Sequence, residues 1–393
     1  MQFYTTDQIP AELARRSFTA GLMKIGPNGG APLFGLTGLA KELMCKDTVH
    51  AYWTKELQFP SVTLNGAIAS AATTTFTVVS TAQVKVGSLL RVRVVGESAH
   101  EIIEVITITN TTTLEVARGV AGTTAKAAIP DATVLIEIGT AYEQASEKPE
   151  SRVILPARHT NNTQIFRDGW DVSGTLASVQ MEVGDGAVLE NKEDAMFFHG
   201  QSIEKALFFS VASVGTKNGK PRTTMDGIES TISKYAPTNL IEAGATTTFS
   251  QLESYLNPLF DKAVNGRMGN MRTLFVGGHA MSVINNIGIK SGQYNIEYGQ
   301  TGFGLQFASF KTSRGTFEMI EHPLFNTNEE WKKMAVAMDL SNFDIRYLRK
   351  TFNKEYNDSG RDAMGGVFTT ELTMELRNPF SCGIIYDLTA AAA

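Results

Sequence analysis

The side chains best suited to acid–base or metal chemistry in this chain are its six histidines: His50, His100, His159, His199, His279 and His322. No two stand at HxH or HxxxH spacing, so a metal site would have to be assembled from distant positions, and none is expected. Cys45 and Cys382 lie far apart without a CxxC pattern. Each reads as a small buried hydrophobe in a reducing compartment, not as a disulfide or a thiolate ligand. Gly302-x-Gly304 lacks the third glycine of a dinucleotide fingerprint and has no helix after it, so it reads as a turn before a strand. Val276-Gly277-Gly278-His279-Ala280 has the outline of a nucleophile elbow but no serine. The acidic pairs Glu182/Asp185 and Glu329/Glu330 read as solvated surface. Arg346, Arg349, Lys350 and Lys354 form a basic cluster. Strand alternation over 343–349 sets Arg349 on the face opposite Arg346, which makes no groove. An ion pair to an adjacent subunit suits these cations better than DNA does. No catalytic, cofactor-binding or metal-ligating residue is expected, and that shifts weight toward structure or binding.

The elements that would position chemistry instead describe a large, well-packed chain. Its 393 residues, 42% hydrophobic and 19% charged, allow two or three domains and argue against wholesale disorder. A net charge of −5 disfavours a protein that coats nucleic acid, though not one that encloses it. No basic-then-apolar leader and no run of about 18 apolar residues occur, so neither standard export nor a membrane span is expected. Residues 1–50 mix the loop Gly26-Pro27-Asn28-Gly29-Gly30 with a helical stretch over 32–44. They are too poor in apolar period to fold alone and read as an arm. From 61 to 140 the period becomes two: Leu90, Val92 and Val94 alternate with Arg91 and Arg93, and Val134, Ile136 and Ile138 with Leu135 and Glu137. Five or six such runs separated by turns predict a small β-barrel or sandwich inserted in the chain. Residues 141–175 read as an extended return.

A long helix is expected over 190–214, with Met196, Ile203, Leu207, Val211 and Val214 on one face. At ~1.5 Å per residue it would span about 37 Å. Gly200 lies inside it, either for close packing or as a bend point. A second helix begins at a Ser250/Glu253 capping box, buries Leu252, Tyr255, Leu256, Leu259, Phe260 and Ala263, is kinked at Pro258, and closes at Asn265-Gly266. A strand over 272–276 and a helix over 279–287 follow. Strands are then expected over 305–311, 316–321, 334–339, 343–348, 367–376 and 382–386, the first two joined at Ser313-Arg314-Gly315. Segregated helices and strands mean α+β.

The order of these parts resembles the HK97-type major capsid proteins of tailed bacteriophages, and in detail their SU10-like branch. The carriers are collinear stretches along nearly the whole chain. They begin with Tyr52-Trp53-Thr54-Lys55-Glu56-Leu57, Val86-Gly87-Ser88-Leu89-Leu90 and Glu101-Ile102-Ile103-Glu104-Val105, then the run from Ala117-Arg118-Gly119 to Ala125. Asn162-Thr163-Gln164-Ile165-Phe166-Arg167 is the most specific. Arg222-Thr223-Thr224-Met225-Asp226-Gly227-Ile228, Thr301-Gly302-Phe303-Gly304 and Glu371-Leu372-Thr373-Met374-Glu375-Leu376-Arg377-Asn378 complete the series. Gln144 departs from the pattern, which has glycine there.

The resemblance implies an N-terminal arm (1–50) and an extended loop (51–60 and 141–175) bearing the inserted β-domain (61–140). A peripheral domain (176–224 and 341–393) would hold the spine helix, beside an axial domain (225–340). It also implies self-assembly into pentamers and hexamers of an icosahedral shell around double-stranded DNA, touched weakly and without sequence preference. Portal, scaffolding or decoration proteins would be the other partners, the host cytoplasm the place of assembly and the virion the destination. Lysine–asparagine crosslinks occur in some relatives. Lys55 sits at the loop's base and not its tip, so non-covalent cohesion is expected. Two competing readings are another phage structural component, such as a decoration or tail-tube protein, and a hydrolase using 61–140 as a carbohydrate-binding module. The second needs convergent carboxylates in a cleft.

Overall fold

The computed structural model describes residues 33–34, 43–57, 59–149, 151–179, 186–262, 264, 269–290, 296–302, 305–357 and 361–392. Most of the expected arm, the Glu182/Asp185 pair, Ala263, Asn265-Gly266 and Phe303-Gly304 lie outside the described residues. The chain divides into two compact units, residues 1–52 with 159–393, and residues 53–158.

The larger unit holds two large sheets beside a two-stranded hairpin. One has four strands in the order Leu43–Met44, Phe343–Asn357, Ala363–Leu376, Gln164–Ser173. The other has seven, in the order Leu240–Glu242, Gly383–Tyr386, Ala335–Met338, Met271–Val276, Thr316–Glu321, Leu305–Lys311, Ile296–Gly302. Met271–Val276 is central, parallel to Thr316–Glu321 and antiparallel to Ala335–Met338. From Arg272 to Val276 it is buried on both faces, as a doubly covered strand is, with Leu274, Phe275 and Val276 supplying the apolar contacts. Phe275 faces a core shared with Ile203, Leu207 and Phe208 of the long helix and with Leu372 and Met374 of the four-stranded sheet. Leu274 and Val276 face a second core beneath the helices Phe249–Leu256 and Gly278–Lys290. Each such side chain contributes roughly 1.5–3 kcal/mol by leaving water.

The expected helices are present with shifted ends. The long one runs Ala187–Phe209, and Val211 and Val214 beyond it are 62% and 76% exposed. Both valines continue the helical period in sequence without belonging to the helix. The chain in fact turns at Ser210 into a hairpin, Ser213–Lys217 with Lys220–Thr224. Asn218 and Gly219 at its tip both have positive φ, the two-residue turn that such hairpins favour. Met196 is also exposed, because the buried face is Ala195, His199, Ile203, Glu204, Leu207 and Phe208. Nothing in its own chain lies within 4 Å of a Cβ placed on Gly200, so no packing inside the subunit requires the glycine. The second helix starts earlier than expected, with Thr248 and Gln251 forming the capping box in place of Ser250 and Glu253. The frame shifts because Phe249 already belongs to the packed face. After Leu256 it tightens into a 3-10 turn, Asn257–Phe260, around Pro258. Leu43–Met44 is strand, so the helix expected over 32–44 does not reach Met44; Leu33 and Phe34 are helical.

The smaller unit is a six-stranded antiparallel sheet, in the order Ser61–Thr63, Val134–Thr140, Ser88–Arg93, His100–Asn110, Thr113–Ala117, Thr75–Thr77. Its two ends meet: Val79 N–H donates to Thr63 O and Asn65 N–H to Thr77 O, both at 2.9 Å, so no long edge stays open. The interior holds Val62, Leu64, Phe76, Leu90, Val92, Ile103, Val105, Leu114 and Leu135. On Val134–Thr140 it is Leu135 that turns inward, while Val134, Ile136 and Ile138 are about half exposed. With apolar side chains on both faces, period two alone does not choose the inner one. Burial would raise the Glu101 carboxyl. A two-pronged pairing with Arg118, at 2.5 and 2.8 Å, and the N–H groups of Lys126 and Gly119 outweigh it and hold Glu101 below the usual carboxylate range.

Candidate assembly site

Three of the stretches that carry the sequence resemblance converge on one corner of the larger unit. Asn161, at the end of the return strand Ala157–Asn162, uses its whole amide there. Its Nδ2 donates to Asp226 O and Met374 O, at 3.1 and 3.0 Å, and its Oδ1 accepts from Asp226 N–H at 2.8 Å. Thr163 donates to Glu371, and Gln164 accepts from Met225 N–H and the Ser210 hydroxyl. Thr223 in turn donates to Thr163 O at 2.6 Å. The return segment, the turn after the long helix and the final long strand are thus tied by side chains that satisfy buried backbone groups. Gly227 completes the corner. A Cβ there would stand 2.8–2.9 Å from Ser210 N, Ala206 O and Phe208 C, all backbone, so only glycine permits the approach. Burial would raise the Asp226 carboxyl, but Lys234, Ala212 N–H and Ser230 together keep it low.

The outgoing segment is anchored beside this corner. Strands Val49–Thr54 and Ala157–Asn162 form a two-stranded ladder through which the chain leaves the larger unit and returns. Tyr52 donates to Leu376 O at 3.0 Å and stacks on His159, 5.3 Å between centroids; His159 meets Tyr235 edge-on at 4.6 Å. Desolvation pulls the His159 pKa down and pushes the Tyr52 hydroxyl up, so both rings stay neutral near pH 7.

Leu33 and Phe34 are anchored to the long helix. Glu204, 1% exposed, accepts Leu33 N–H on one oxygen and Phe34 N–H on the other, both at 2.8 Å, and meets His322 Nε2 at 2.7 Å. His322 Nδ1 accepts from Leu324 N–H, so the proton sits on Nε2, facing the carboxylate. No spacing rule connects residues so distant in the chain, and this cluster had no sequence signal.

The remaining candidates separate. His50 pairs with Glu375, His279 reaches Thr389 O, and His100 lies exposed at the start of a strand. His199 stands between Asp168 (2.6 Å) and Thr370 (2.7 Å), the spacing of an acid–histidine–hydroxyl relay. Thr370 is fully buried and also bonded to Thr351, so no substrate reaches it; the trio clamps helix to sheet. Cys45 and Cys382 are free and buried, and burial lifts the Cys382 thiol to about 11. Gly277 joins strand to helix where a Cβ would strike the Lys332 backbone at 2.4 Å, and no nucleophile follows. Arg349 does not face away from Arg346. The Phe343–Asn357 strand slips register between Tyr347 and Arg349, which brings both arginines to the same side, onto Glu375 and Glu371. Both pair with carboxylates of their own chain. No group of three or more potential metal ligands occurs among the described residues, and no described helix is long and apolar enough to cross a membrane.

The polar clusters around Asn161, Glu204 and His199 each fasten one segment to another. The SU10 major capsid protein family matches residues 2–389, and the chain belongs to it: it is a structural, non-enzymatic major capsid protein of a tailed phage, part of the virion head shell, with an α+β fold. It is 30% identical to the major capsid protein of Pseudomonas phage PaMx41, over 99% of this chain and 96% of that one. Among solved structures it is similar to one from Mycobacterium phage Adephagia (TM-score 0.48, 11% identity, 100% and 99% of the two chains covered). Another is the capsid of a native GTA particle (TM-score 0.47, 8% identity, 98% of each).

Proposed function

We propose that the head shell is built from pentamers and hexamers in which residues 1–60 and 141–175 lie across neighbouring copies, and that the shell encloses double-stranded DNA with weak, non-specific contact. The observation that carries this reading is the apolar surface of the loop segments. Trp53, Leu57 and Phe59 on the outgoing side are 62%, 76% and 92% exposed, and Val153 and Leu155 on the return are 69% and 78% exposed. Single exposed hydrophobes need no explanation, but five on two short segments mark a surface awaiting cover. Laying the arm and both loop segments over other copies would bury more than a standard interface of ~1,600 Å² and, head to tail, would close rings.

In this reading the 61–140 sheet is an inserted domain on the extended loop, 176–224 with 341–393 is the peripheral domain, and 225–340 is the axial domain. The joined ends of the sheet and its separate core support its autonomy. Portal, scaffolding or decoration proteins would be the remaining partners. Expressing the chain alone and imaging the product by cryo-electron microscopy tests the assembly: closed shells with five- and six-fold clusters are expected, and tubes or persistent monomers would refute it. A chain lacking 61–140 should still form capsomers, and its failure to do so would refute the insert's autonomy.

A further inference from the structure

The hairpin that follows the long helix is exposed from Ser213 to Arg222. Its register sets Ser213 opposite Thr224, Gly215 opposite Arg222 and Lys217 opposite Lys220, so these six residues share one face of the ribbon. That face holds three cations and otherwise only glycine, serine and threonine. Val214 and Thr216, with Thr223 and Pro221 across the ladder, belong to the other face.

Lys217 and Lys220 stand about 5 Å apart at Cβ, as directly opposed residues do, and Arg222 lies ~7 Å further along at ~3.4 Å per residue. Like charges facing each other across a ladder destabilise it, so this arrangement does not serve the hairpin's own stability. None of the three cations meets a carboxylate among the described residues. The arginines of the four-stranded sheet are neutralised, by contrast: Arg346 and Arg377 by Glu375, and Arg349 by Glu371. The hairpin's base is held firmly. Thr223 donates to Thr163 O and Thr224 to Val211 O, and the Ser213 and Thr224 hydroxyls are 2.8 Å apart. A fixed platform thus presents three cations to solvent.

We propose that this face binds the phosphate backbone of the enclosed double-stranded DNA, with Lys217, Lys220 and Arg222 as the contacts. This rests on the enclosure reading and names the residues that make its weak, non-specific contact. Charge complementarity selects the occupant. A duplex carries one negative charge per ~1.7 Å of axis, so a row of cations ~7 Å long meets several phosphates at once. A protein partner would need apolar area to bury at the centre of the contact, and this face offers none. Lysine ammonium groups engage phosphate as point charges and read no base edges. Three contacts on a chain of net charge −5 keep the grip weak.

Salt-dependent binding tests it on full-length subunits, with a fluorescent duplex of about 20 base pairs as the probe. Wild-type binding should weaken steeply with salt. The variant carrying Lys217→Gln, Lys220→Gln and Arg222→Gln should bind at least about tenfold more weakly at about 50 mM salt, with a log–log salt slope shallower by about 2–3. Arg222→Gln alone should flatten that slope by about 1, and duplexes of unrelated sequence should lose affinity equally. Circular dichroism should be unchanged and the melting temperature equal or higher, because a repulsion has been removed. Wild-type affinity and slope in the folded triple variant would overturn the assignment and leave the enclosure reading intact. Wild-type subunits that bind no duplex would overturn the DNA contact itself, and this face with it. A triple variant that binds duplex as the wild type does but forms no shells would give the face to a protein partner, which also overturns the proposal.

Discussion

The closed β unit and the loop segments on either side of it treat their apolar surface in opposite ways. The β unit joins its own sheet ends, fills its own interior and surrounds buried Glu101 with donors from within itself. The segments 53–59 and 151–156 leave Phe59 and Leu155 almost wholly in solvent. One region is energetically complete as a single copy. On the proposed assembly the other gains its cover from further copies, so substitutions should act on folding in the first and on assembly in the second.

The largest effect is expected at the buried ion pair. Arg118→Ala leaves Glu101 buried without its partner and should cost about 3–5 kcal/mol, read as an earlier melting transition of the β unit with the larger unit unmoved. The same pair fixes a pH dependence. Glu101 is held below its ordinary value, so its stabilisation is full above about pH 4.3 and is lost as pH falls through the lower folded-state value. Acid titration followed by circular dichroism should show that loss in the wild type and not in Arg118→Ala. Gly227→Ala comes next, at roughly 1–3 kcal/mol against the larger unit, because backbone closes in on that position from three directions. An equal shift in both transitions for either variant would break the comparison.

The regular parts of this division were legible in the sequence, and the irregular parts were not. Alternation placed Leu90 and Val92 inside the β unit, and apolar spacing placed Ile203 and Leu207 on the helix. The hairpin after Phe209 was missed because Val211 and Val214 continue the helical period by accident. Lys217-Asn218-Gly219-Lys220 held the signal that could have revealed it. Arg349 was turned to the wrong face because a bulge, which no period encodes, shifts its strand by a residue. Glu204 and His322 stand 118 positions apart, and only the folded chain joins them.

Smaller effects sharpen the contrast. Gly200→Ala meets open space and removes a helix glycine, so it should stabilise the larger unit by about 0.5–1 kcal/mol in chemical unfolding. Phe59→Ser and Leu155→Ser should change subunit stability by less than about 0.5 kcal/mol yet reduce shell yield sharply, as measured by sedimentation. A large loss of subunit stability in either would place those side chains in the chain's own core.

Hydrogen–deuterium exchange over 53–57 and 151–156, compared between dilute dissociated subunits and assembled particles, tests the central claim most directly. Rapid exchange in the lone subunit, with strong protection gained on assembly, is the expected result. Equal protection in both states would mean that a single copy already covers these segments, and that would contradict the account.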